Sequence, residues 1–296
     1  MSSEGQTFAG ESLLVRYVNF VKLPHTVFAL PFALLGVVAA SYRYAVTWRT
    51  LGLVVVAFTA ARCVALGFNR IADRDLDARN PRTRDRELPA GRLTLAQAWA
   101  AVITAAAVFV GTAWSLNPLC FELSPVALAV VTLYSYSKRF TWWSHVWLGV
   151  GDAIAGPAGY LAVAGGWTEP AWLLWALAAA VTFWVGGFDV FYALQDEDFD
   201  RREGLHSAVV RFGQARSLLL AKLMHGLTVA ALIAFGTGLG LGWPYFSGVA
   251  LGAALLVYEH GLVKPGDLSR LDAAFFSANG VVSIVVFLGA FVDRVL

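Results

Sequence analysis

Nine apolar runs, each of about 20 residues, succeed one another along the chain at residues 25–45, 51–72, 94–115, 118–137, 143–164, 170–195, 216–239, 244–263 and 271–292. At 1.5 Å of rise per residue, a run of roughly that length crosses the ~30 Å hydrocarbon core of a bilayer as one helix. Charged residues, Gly or Pro separate the runs, and no polar stretch between them is long enough to fold by itself. Of the 296 residues 58% are hydrophobic and 14% charged, against roughly 25% charged in soluble domains, so too little polar sequence remains to give nine buried helices a water-facing surface. The expected fold class is all-α: one polytopic domain over residues 1–296 with nine transmembrane helices, multi-pass in the cell (inner or plasma) membrane, with the lipid bilayer as its first partner. A net charge of +2 points to no nucleic-acid partner. Cys63 and Cys120 lie in or beside apolar stretches without metal-ligand spacing, so neither a disulfide framework nor a zinc site is expected. Glu4 and Glu11 precede the first run, which argues against a removable signal peptide.

The basic residues orient the array. With the N-terminus in the cytoplasm, 18 of the 22 Lys and Arg fall on that side, seven of them between Arg70 and Arg92. Arg43, Arg49 and Arg294 fall opposite, and Arg62 lies within a span. This asymmetry predicts a cytoplasmic N-terminus and an external C-terminus. Trp142, Trp143 and Trp147 flank the start of the fifth span, as in an interfacial aromatic belt.

About half the carboxylates crowd into two places at the cytoplasmic edge. Asn69, Asp73 and Asp77 end the second span, and Asp189, Tyr192, Asp196 and Asp200 end the sixth. Positions 69, 73 and 77 share one helix face, and 189, 192, 196 and 200 share another. Like charges four residues apart weaken a helix and call for compensating cations. Mg²⁺ is the natural one, since it takes hard oxygen ligands and is commonly held by one or two carboxylates plus substrate phosphate. Two such helix ends could hold two Mg²⁺ and clamp a diphosphate. The plainer reading is a pair of solvated, capped helix ends, but that needs no oxygen ligand at every fourth position. The two motif-bearing spans lie four apart, which is weak support for an old internal duplication.

On these residues the sequence resembles the UbiA family of intramembrane aromatic prenyltransferases. Asn69, Asp73 and Asp77 match its NxxxDxxxD motif, and Asp189 to Asp200 match DxxYAxxDxxxD. The Leu88–Gly91 turn and the Tyr-Ser-Lys138-Arg139 segment extend the likeness over nearly the whole chain. Residues 28–32, Leu205 to Ser207, Arg211 to Gly213, Phe275 with Phe276, and Asn279 with Gly280 look like the quinone-biosynthesis branch, whose acceptors are 4-hydroxybenzoate or a dihydroxynaphthoate. The resemblance implies Mg²⁺-dependent transfer of a polyprenyl group from a polyprenyl diphosphate to a hydroxylated aromatic acid acceptor, in ubiquinone or menaquinone biosynthesis. It implies metal ligation by Asn69, Asp73, Asp77, Asp196 and Asp200, with diphosphate held by Lys138, Arg139 and Lys22. The acceptor and allylic cation fall to Arg62, Asp189, Tyr192 and Tyr134, and the residues expected to carry catalysis are Asp73, Asp196, Arg62 and Lys138.

Chemistry supports parts of this. Ionising the allylic C–O bond builds charge on the diphosphate, which Mg²⁺ and Lys or Arg stabilise. Lys138 and Arg139 are placed for that, or serve only as a positive-inside anchor. Arg62 lies seven residues before Asn69 and eleven before Asp73, on their helix face. Inside a span it needs a partner: an acid such as Asp152, the diphosphate, or the acceptor's carboxylate. Aromatic faces such as Tyr192, Tyr134 and Phe188 can stabilise a cation, although most aromatics of such a chain face lipid or other helices. His25 accompanies Lys22 before the first span, and His145, His225 and His260 are expected at the interface. Three alternatives remain: a prenyltransferase of the same fold acting on haem, chlorophyllide or a lipid; a transporter or divalent-cation channel, which predicts broken helices and acids at mid-bilayer; and a CDP-alcohol phosphotransferase, whose contiguous Asp-rich motif is missing.

Overall fold

The computed structural model describes residues 8–10, 12–23, 26–168, 170–271 and 279–296, apart from the side chains of Val27 and Phe28. Glu4, Glu11, His25, Phe275, Phe276 and the rest of residues 272–278 of the ninth apolar run lie outside the described residues. The described chain is helical and contains no β-strand. Its α-helices are α1 (Leu13–Phe20), α2 (Thr26–Ser41), α3 (Trp48–Ala72), α4 (Arg74–Arg79), α5 (Leu95–Leu116), α6 (Pro118–Leu133), α7 (Ser144–Ala153), α8 (Ala155–Ala164), α9 (Trp172–Ala193), α10 (Glu197–Arg202), α11 (Ala208–Leu239), α12 (Trp243–Leu262) and α13 (Asn279–Val295). The first eight apolar runs each coincide with one of them, or with two joined end to end, and the described part of the ninth run from Asn279 falls in α13. Among the described residues six helical segments are long and apolar enough to cross a membrane, and Ala29–Ser41 is a shorter apolar helix.

Successive helices pack on one another, and α13 returns to α2, closing the bundle. α9 is its central strut: Leu177, Ala180, Val181, Trp184 and Val185 are fully buried, as an all-round apolar helix requires. Without hydrophobic drive between helices in lipid, close approach depends on small residues. Where α2 crosses α8, a Cβ on Gly36 would strike the Gly156 carbonyl, and one on Gly159 the Ala33 carbonyl. The fifth run breaks between α7 and α8 at Ile154. Pro157 follows three residues later and has no N–H to give the Ala153 carbonyl.

Both acidic segments depart from the expected single helices. α3 ends at Ala72 with Asp73 as the hinge (φ −101°, ψ 10°) before α4, and α9 gives way to a 3₁₀ turn at Leu194–Asp196 before α10. The bends fall where like charges four apart weaken an α-helix. The i→i−4 bonds from Asp73 N–H to the Asn69 carbonyl (2.9 Å) and from Asp77 N–H to the Asp73 carbonyl (2.7 Å) persist through the first bend.

Candidate active site

A cavity of about 250 Å³ opens where these bent ends meet the 3₁₀ turn Tyr134–Arg139. Its lining includes every residue that the sequence marks for the site: Lys22, Arg62, Asn69, Asp73, Asp77, Tyr134, Lys138, Arg139, Asp189, Tyr192, Asp196 and Asp200. Phe188 and Asp152 line it too.

The acids are balanced chiefly by arginines. Arg82 forks onto Asp196, Nε to Oδ1 at 2.9 Å and Nη2 to Oδ2 at 2.5 Å, a bidentate pairing that fixes orientation as well as charge. Asn80 Nδ2 donates to the same Oδ1 at 3.0 Å, and Arg82 Nη1 reaches the Tyr192 hydroxyl at 3.0 Å. Arg86 Nη1 holds Asp77 Oδ1 at 2.6 Å. Arg139 Nη2 donates to the Ala72 carbonyl (2.6 Å) and to Asp73 Oδ1 (3.1 Å), and Asn69 Nδ2 donates to Asp73 Oδ2 at 3.0 Å. Burial pushes the Asp73 carboxyl above its ordinary value, against the pull of the Arg139 hydrogen bond. Lys138 lies among the same acids with no described carboxylate within ion-pair distance.

Deeper in the cavity Arg62 Nη1 contacts both oxygens of Asp152, at 3.0 and 3.1 Å, and both side chains are largely buried. Of the partners open to Arg62, the acid is therefore present within the chain, and the residue still lines the cavity. His145 corrects the interfacial expectation: it is 2% exposed, and its Nδ1 lies 2.7 Å from Asp189 Oδ2. His225 is likewise buried, 3.0 Å from His260.

Asn80, Arg82, Arg86 and His145 escaped the sequence reading. The arginines were visible only as positive charge in the 70–92 connection, and their pairing partners are remote in sequence.

The donor set suits a hard divalent cation. Asp77 Oδ2 and Asp200 Oδ2, one from each acidic segment, are buried without a hydrogen-bond partner, a costly state unless a cation completes it. Among the described residues no three His, Cys, Asp or Glu side chains converge as a complete metal cage. Mg²⁺ does not require one, since it commonly shares its shell with substrate phosphate and water.

A bundle with bilayer-length apolar helices, holding a headgroup-sized cavity of acids and arginines at one end, fits an intramembrane transferase. The UbiA prenyltransferase family model matches residues 29–281, and the chain belongs to that family. It is 33% identical over 239 residues to the 4-hydroxybenzoate octaprenyltransferase of Alkalilimnicola ehrlichii, covering 81% of this chain and 79% of that protein. The corresponding enzyme of Alcanivorax borkumensis is also 33% identical, over 80% of this chain and 79% of its own. The apo structure of a UbiA homolog from Aeropyrum pernix K1 superimposes with a TM-score of 0.83 at 33% identity, over 92% of this chain and 98% of that one. A UbiA homolog from Archaeoglobus fulgidus, bound to GPP and Mg²⁺, shares the fold at TM-score 0.67 and 19% identity, over 95% and 100%.

Proposed function

We propose that this protein transfers a polyprenyl group from a polyprenyl diphosphate to a hydroxylated aromatic carboxylic acid, 4-hydroxybenzoate first among them, in quinone biosynthesis, and that it does so with Mg²⁺. The observation that carries this reading is the cavity itself, where two acidic segments with orphaned carboxylate oxygens face Lys and Arg side chains. The 4-hydroxybenzoate octaprenyltransferases that resemble it over four fifths of the chain support the acceptor. The chain is read as nine spans with a cytoplasmic N-terminus in the cell membrane, on the strength of its apolar runs and its basic asymmetry.

Asn69, Asp73, Asp77, Asp196 and Asp200 would hold the metal. Asp196 already carries the Arg82 fork, so Asp77 Oδ2 and Asp200 Oδ2 are the oxygens ready for it. Bound Mg²⁺ supplies Lewis-acid neutralisation of the diphosphate charge. Lys138, Arg139 and Lys22 bind the diphosphate and stabilise it as the prenyl C–O bond breaks and the electron pair leaves with it. Tyr192 and Tyr134 place aromatic faces beside the allylic cation. A ring carbon ortho to the acceptor hydroxyl supplies the pair for the new C–C bond, and the ring proton passes to Asp189. Arg62 orients the acceptor carboxylate while tied to Asp152.

Purified protein in detergent should release diphosphate from geranyl diphosphate only when Mg²⁺ and 4-hydroxybenzoate are both present. A dihydroxynaphthoate replacing 4-hydroxybenzoate at full rate would overturn the precedence given to 4-hydroxybenzoate, and a haem precursor or a lipid alcohol doing so would refute the acceptor class.

A further inference from the structure

We infer that His145 is a positioning residue for the transfer reaction, holding Asp189 in one orientation through a fixed imidazole tautomer; the inference rests on the acceptor-site role given to Asp189 above. His145 stands near the start of α7, 2% exposed. Its Nε2 lies 3.2 Å from the backbone N–H of Ala208. Ala208 opens α11, and its N–H is one of the first-turn amides that have no partner inside the helix. A backbone amide can only donate, so Nε2 must be the bare, accepting nitrogen. The ring proton is then on Nδ1, which donates to Asp189 Oδ2 at 2.7 Å. The other Asp189 oxygen has no hydrogen bond among the described residues, and the side chain lines the cavity. One oxygen is thus fixed by the imidazole and the other is left for the acceptor.

The same segment fixes a second site residue. His206 N–H donates to the Lys138 carbonyl at 2.7 Å, and Ser207 Oγ caps α11 by accepting from Val210 N–H. Residues 205–208 therefore act as a strap. It anchors the backbone of Lys138 directly, and it sets the Asp189 carboxylate through His145. Partners of this kind, which orient a reacting group without touching substrate, typically carry 10–100-fold in activity where they have been removed around metal sites.

The test is steady-state kinetics on purified protein with geranyl diphosphate, 4-hydroxybenzoate and Mg²⁺. His145→Phe fills the site without hydrogen bonds, and its kcat should fall roughly tenfold or more while the KM for geranyl diphosphate holds. His145→Gln carries an amide that both donates and accepts, and should restore most of the lost turnover. In an Asp189→Asn background His145→Phe should cost little more, because the two residues act as one unit. A structural role alone predicts instead that kcat follows the melting temperature and that the loss repeats in full in the Asp189→Asn background; that result overturns the inference. Full turnover by His145→Phe beside an inactive Asp189→Asn overturns the inference alone. Full turnover by Asp189→Asn overturns the role of Asp189 and the inference together. If His145→Phe does not fold, His145→Leu serves in the same comparisons.

Discussion

Asp196 and Asp200 lie four residues apart on the same cavity wall, yet their removal should read differently. Asp196 accepts three hydrogen bonds from Asn80 and Arg82, and Asp196→Ala takes the carboxylate from a largely buried guanidinium. Activity and melting temperature should fall together, by about 3 kcal/mol of stability if the pair behaves as other buried pairs do. The Asp200 side chain has no hydrogen bond to lose among the described residues. Asp200→Asn should raise the Mg²⁺ concentration needed for turnover by roughly tenfold or more with the melting temperature unchanged; a parallel drop in melting temperature would make Asp200 structural. Arg62 calls for a double substitution, because Arg62→Ala alone strands Asp152. In Arg62→Ala with Asp152→Ala the melting temperature should recover toward wild type while the acceptor KM stays high, as expected if the guanidinium serves both Asp152 and substrate. Recovery of both would leave Arg62 as an ion-pair partner only. The acids of the site were legible in the sequence because they recur at helical spacing. Their partners were not, because Arg82 and Asp196 stand 114 positions apart and Arg62 and Asp152 stand 90 apart, and nothing local distinguishes Arg82 from the other arginines of its connection.

At the scale of helices, the apolar runs located the elements, since length and hydropathy are local properties. The bends at Asp73 and Leu194–Asp196 were hidden, because periodicity reports a shared face without showing whether the helix beneath it is continuous. Close crossings were equally hidden, since a glycine in an apolar run looks the same whether it touches a neighbour or lipid. Gly36 and Gly52 make the contrast testable: a Cβ on Gly36 meets the backbone of α8, whereas one on Gly52 meets nothing within 4 Å. Gly36→Ala should lower the melting temperature by an overpacking cost of about 1–3 kcal/mol, and by forcing α2 and α8 apart it should disturb Asp152 at the end of α7. Gly52→Ala should leave stability equal or slightly raised. Equal effects of the two would mean that the α2–α8 crossing is looser than described.

Across the whole molecule, the proposed topology places residues near Arg84, Arg202 and Gly266 on one side of the membrane and Gly166 on the other. Single cysteines at those positions, in a background with Cys63 and Cys120 replaced, should label from the cytoplasmic side for the first three and only from outside for the fourth. Labelling of Arg84 and Gly166 positions from one side would break the nine-span arrangement. The cavity has a further property: seven basic and six acidic side chains line it, so its charge is nearly cancelled before any substrate arrives. A divalent ion entering alone meets no large surplus of negative charge, and a diphosphate entering alone meets little surplus of positive charge. Each is accommodated best beside the other. Donor and metal should therefore bind as thermodynamically linked ligands, each raising the affinity for the other by the same factor. Calorimetric titration of Mg²⁺ into the protein should show weak binding without a non-reactive diphosphate analogue and tight binding with it, and the reciprocal titration should return an equal gain.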